Sequence, residues 1–93
     1  MKKLKAIKKE PKKITLSLDL AGNIFKTKAN TFPEALQTIY KDSLGKVKTW
    51  GVFNLKIGKK KSEIQLRPIQ IKRAFMGRFA QDLLEKRLMM RLK

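Results

Sequence analysis

Neither cysteine nor histidine occurs in this chain of 93 residues. Without them no disulfide framework and no ordinary zinc site can form. The usual thiol and imidazole groups of nucleophilic and general-base catalysis are missing as well. The lack of cysteine also fits a reducing compartment. Acidic side chains are scarce: seven Asp and Glu stand against 24 Lys and Arg, for a formal net charge of +17. Asp19, Glu34, Asp42, Glu63, Asp82 and Glu85 are scattered along the chain. Asp82 and Glu85 fall within one helical turn, but beside Lys86 and Arg87, which is the pattern of charges paired on a helix surface. A phosphate-binding loop is absent too, because Gly58-Lys59-Lys60-Lys61-Ser62 lacks the upstream glycine of a P-loop.

Long apolar runs are also lacking. None approaches the ~20 residues needed to cross a bilayer. The charged start of the chain is not followed by the apolar core of a signal peptide. The expectation is a soluble, intracellular, non-enzymatic protein with no catalytic residues, metal, cofactor or small-molecule substrate.

What is present is positive charge and a clear alternation of residue types. A net charge of +17 opposes compaction by self-repulsion and suits a polyanionic partner. Nucleic acid is the commonest such partner. A membrane surface fits less well, since the first residues offer no amphipathic helix with bulky anchors.

Residues 1–13 hold seven lysines and one glutamate, and Pro11 breaks a helix there. This segment reads as a flexible basic arm, followed by one domain over 14–93. Ile14-Thr15-Leu16-Ser17-Leu18-Asp19-Leu20 alternates apolar and polar residues, and Ala21-Gly22-Asn23 supplies a turn. Phe25, Thr27 and Ala29 continue as the return strand, with Lys26 and Lys28 on its other face. Thr31 and Glu34 form a capping box, with Pro33 in the first turn. Phe32, Leu36, Ile39, Tyr40 and Leu44 then recur at helical spacing up to a stop at Gly45, giving a helix over 32–44.

A second hairpin follows. Phe53, Leu55 and Ile57 alternate with Asn54 and Lys56; Ile64 and Leu66 alternate with Glu63, Gln65 and Arg67. The segment Gly58–Ser62 between them reads as a loop with Lys59, Lys60 and Lys61 at its exposed tip. Pro68 suits either a strand edge or a helix start, so residues 68–72 stay open between the two. From Phe75 to Leu92 one helix is expected. Ile71, Phe75, Phe79 and Leu83 form one ridge, and Met76, Ala80, Leu84 and Leu88 the next. Gly77 weakens that helix by ~1 kcal/mol relative to alanine. Trp50, at a strand start, and Phe79 are expected in the core; Trp50 and Tyr40 are secondary candidates for stacking on bases.

The expected fold is therefore α+β in the order β-β-α-β-β-α. An antiparallel sheet carries two helices on one face. The expected function is electrostatic binding of nucleic acid, RNA slightly ahead of DNA, as in a ribosomal or other ribonucleoprotein component. Lys8, Lys9, Lys12 and Lys13 of the arm, Lys56, Lys59, Lys60, Lys61 and Arg67 of the hairpin, and Arg78, Arg87 and Arg91 of the last helix are the candidate phosphate contacts. The aromatic signature of an RRM sheet, the GXXG loop of a KH domain and a helix-turn-helix are all missing. The alternatives are a small phage or mobile-element DNA-binding protein, or an assembly subunit that meets an acidic protein. Leu88, Met89 and Leu92 are the candidates for contact with a protein partner or a second copy.

Overall fold

The computed structural model describes residues 13–93. The expected arm, with Lys8, Lys9 and Lys12, lies outside the described residues; Lys13 is exposed just before the first strand.

Four strands are in place: β1 (Ile14–Leu20), β2 (Asn23–Ala29), β3 (Gly51–Ile57) and β4 (Lys60–Leu66). They form one antiparallel sheet in the order β2-β1-β3-β4. The first hairpin turns on Ala21 and Gly22, both at positive φ, and the Asp19 carboxylate accepts the Gly22 N–H at 2.8 Å. Left-handed backbone at both turn positions matches the twist of the strands it joins. β1 pairs with β3 across the long connection, Leu18 opposite Phe53 and Leu16 opposite Leu55.

Helix α1 (Phe32–Asp42) fills that connection. Thr31 Oγ1 accepts the Glu34 N–H and donates to the Glu34 carboxylate, so the expected capping residues meet side chain to side chain. The helix ends two residues earlier than its apolar spacing suggests. Ser43 is buried and donates its hydroxyl to the Ile39 carbonyl at 2.7 Å, while Leu44 turns out to solvent. A short hydroxyl-bearing residue closes the last turn where a leucine would continue the apolar stripe.

The C-terminal region differs most from expectation. Pro68 starts a helix, α2 (Pro68–Met76), and a separate helix, α3 (Arg78–Met90), follows. Gly77 stands between them in extended geometry, φ −117° and ψ 127°. Its N–H donates to the Arg73 carbonyl, closing α2, and its carbonyl accepts the Gln81 N–H, opening α3. One residue outside helical geometry resets the phase of everything after it. Leu84 and Leu88 therefore pack inward, whereas Phe79, on the other ridge, is 82% exposed and is not a core residue. Among the described residues the layer holds three helices instead of two, in the order β-β-α-β-β-α-α.

All three helices pack on one face of the sheet. Their contributions, among them Leu36, Ile39, Ile71 and Leu88, join Leu16, Leu18, Phe53 and Leu55 in one core cluster. Phe75 bridges the layers, its ring 5.1 Å from Tyr40 on α1 and 6.3 Å from Phe53 on β3. Ring pairs at such separations are mutually favourable. Leu88 is fully buried, and Met89 and Leu92 pack against the core, so the face expected to serve assembly is taken up by the chain itself. Among the described residues no helix is long and apolar enough to cross a membrane.

Candidate nucleic-acid interface

Every helix among the described residues lies on one side, and none of those residues covers the opposite side of the sheet. Its residues follow from the register. Lys28 pairs with Thr15, Thr15 with Lys56, and Lys56 with Lys61, so one row crosses all four strands and ends in lysine at both edges. The row spans three inter-strand steps, ~14 Å at about 4.8 Å per step. The next row is Lys26, Ser17, Asn54 and Glu63; the third is Ile24, Asp19, Val52 and Gln65. Asp19 and Glu63 are thus the acidic residues on a face that also carries Lys26, Lys28, Lys56 and Lys61.

One pairing on this face is unfavourable by itself. Ile57 and Lys60 flank the two-residue turn and form a hydrogen-bonded pair, so the neighbouring Lys56–Lys61 pair is of the close, non-hydrogen-bonded kind. Like charges directly opposite one another destabilise a sheet. A bound phosphate between the two ammonium groups would reverse the sign of that term.

At the far end of the face stand Trp50 and Arg67. They lie one step beyond the Gly51–Leu66 pair, and continuing the strand alternation places both on the open side. Trp50 is 49% exposed, and the Arg67 guanidinium sits 5.4 Å from its ring centroid. A guanidinium over an indole is a favourable contact. Trp50 is therefore a surface residue beside the lysine rows, contrary to its expected place in the core. Tyr40 belongs to the other layer, against Phe75.

The lysines of the second hairpin do not share one tip. The turn consists of Gly58, at φ 64°, and Lys59 alone. Lys60 already belongs to β4 and points to the helix side; Lys61 points to the open side. Ser62 occupies a buried, core-facing position opposite Leu55, and its hydroxyl has no hydrogen-bond partner. A polar residue at a core position hides the start of the strand from any apolar pattern. Three lysines expected to project together therefore leave in three directions.

The other candidates are separated further. Arg78 borders the α1 side of α3 near Gln37 and Tyr40, and Arg87 lines the opposite flank facing α2. Arg91 is exposed at the end of α3. The structure thus brings Lys56, Lys61 and Arg67 onto one face and leaves Lys60, Arg78 and Arg87 on the helix side. It adds Lys26 and Lys28, which the sequence reading placed on a polar strand face but not among the phosphate contacts. The signal that would have found them is the β1–β3 pairing, which sets Lys28 in line with Lys56.

No protein-family model matches the chain, and no curated protein or solved structure is significantly similar to it.

Proposed function

We propose that this protein binds nucleic acid, without catalysis, through the helix-free face of its sheet. The row Lys28–Thr15–Lys56–Lys61 carries the reading, because it keeps two lysines directly opposed at a cost in stability that a phosphate would relieve. Lys26, the turn lysine Lys59 and Arg67 extend the cationic surface. Such contacts hold a backbone without reading its sequence. Trp50 supports the choice of RNA. An exposed indole stacks only on bases that are themselves unstacked, and these abound in the loops and single strands of folded RNA. A component of a ribonucleoprotein fits this description.

Lys61→Glu tests the reading, because it drives stability and binding in opposite directions. An opposite-charge pair with Lys56 replaces a like-charge pair, and cross-strand pairs contribute roughly 0.2–1 kcal/mol. The melting temperature should rise, while affinity for single-stranded RNA should fall several-fold. Trp50 is the single tryptophan, so its fluorescence reports binding directly. Unchanged affinity in a more stable Lys61→Glu protein would mean that this face is not the binding surface.

A further inference from the structure

The two edges of the sheet are not alike. Lys60, Ser62, Ile64 and Leu66 hydrogen-bond to β3, so the backbone groups of Lys61, Glu63 and Gln65 point away from the sheet. Those of Lys61 are met: Lys61 and Lys93 exchange both N–H···O=C bonds at 3.2 Å, an antiparallel bridge. Glu63 and Gln65 have no such neighbour; no other backbone segment among the described residues meets them. On the opposite edge the outward positions of β2 are Ile24, Lys26 and Lys28, and lysine on an edge deters strand addition. β4 beyond Lys61 carries no lysine.

Beside this open length lies an apolar groove of about 270 Å³, bounded by β4, α2 and α3. Leu66, Ala74, Phe79 and Leu83 line it, and Arg73 and Arg87 stand at its rim. Phe79 is 82% and Leu83 40% exposed. Large apolar side chains held out at that level beside unpaired strand backbone mark a place where a chain docks.

We infer that the β4 edge and this groove together take an extended segment of a partner protein, acidic and apolar in alternation, which adds to the sheet as a fifth strand. Extended conformation is required because Glu63 and Gln65 offer a strand ladder that a helix cannot pair with. Alternation follows from the pleat: every second side chain faces the groove and its Phe79 and Leu83. Acidity follows from charge complementarity on the other face of that strand, where Lys61 and Arg67 stand at either end of the edge with Glu63 and Gln65 between them. A second copy would bring +17 against +17. The chain's own first twelve residues carry six lysines and would meet the arginines with like charge.

The test uses the full chain and a set of nine-residue peptides that alternate glutamate with valine, isoleucine or leucine, each with a control that clusters the same residues in two blocks. Alternating peptides should slow amide hydrogen exchange at Glu63 and Gln65 at least ten-fold. Phe79→Ser and Leu83→Ser, both at exposed positions, should weaken the peptides at least ten-fold while leaving circular dichroism and RNA affinity as they were. The inference is overturned if no peptide binds below 1 mM, if the block controls bind equally well, or if the amide shifts cluster on Lys28 and Lys56. Concentration-dependent dimers that vanish in Phe79→Ser would also overturn it, by giving the groove to a second copy.

Discussion

A methyl group at Gly51 would lie 2.7 Å from Ile71 Cδ1 and 2.9 Å from Leu18 Cδ1 and Leu20 Cδ2. These three side chains are buried, so their terminal methyls would have to shift within the core. Gly51 therefore lets α2 close onto the centre of the sheet, where β3 leaves the Trp50 loop. Gly51→Ala should cost about 1–3 kcal/mol, the usual range for overpacking, and chemical denaturation would measure it. A loss below that range would mean that α2 slides without penalty. Glu85 gives a second prediction at this scale. Partial burial on α3, and then the charge of Asp82, raise its carboxyl above the ordinary value of 4.5. The folded protein thus holds this proton more readily than the unfolded chain, so ionised Glu85 disfavours the fold. That penalty is full above the raised value and fades as pH falls through it. Glu85→Gln should melt higher than the parent at pH 7, and the two should converge near pH 3. A difference independent of pH would assign the effect to packing.

Among the elements, β1, β2, α1 and β3 stand near their expected bounds because pattern and punctuation agree there. The apolar alternation of β1 ends at its turn, and Thr31, Pro33 and Glu34 mark the start of α1. The chain was less legible wherever a polar residue holds a core position or an apolar one faces water. Ser62 disguised the first half of β4, and Ser43 took the last turn of α1 from Leu44. The ridge through Phe75, Phe79 and Leu83 read as core because a continuous helix was assumed. The step at Gly77 sets α3 beside β4, where Leu84 and Leu88 are buried. The two arrangements separate by truncation. Leu84→Ala and Leu88→Ala should each cost about 2–5 kcal/mol. Phe79→Ala should fall within about 0.5 kcal/mol, as surface changes do. A large loss at Phe79 would restore the single helix.

At the scale of the whole molecule the question is whether position or mere charge governs binding. With 24 cationic residues in 93, the sequence alone does not show which lysines share one surface. The choice depends on a pairing between strands that α1 separates in the chain. No local pattern announces that Lys28 and Lys56 share a row. Two triple variants decide the matter. Lys28, Lys56 and Lys61 changed to glutamine remove charge from the open face. Lys41, Lys72 and Lys86 changed to glutamine remove it from exposed positions on α1, α2 and α3. Each set lowers the net charge from +17 by three, to +14. A molecule that attracts polyanions through its overall field would lose the same affinity in both. If the phosphates sit on the sheet, the first set should reduce the slope of log K against log salt by up to about 3, near one unit per lost contact. The second set should alter it by less than about 1, since charges beyond ~10 Å are largely screened at 0.1 M salt. Titrating single-stranded RNA at several potassium chloride concentrations, read by Trp50 fluorescence, gives both slopes. Equal slopes in the two variants would remove the sheet face from consideration and leave only diffuse attraction.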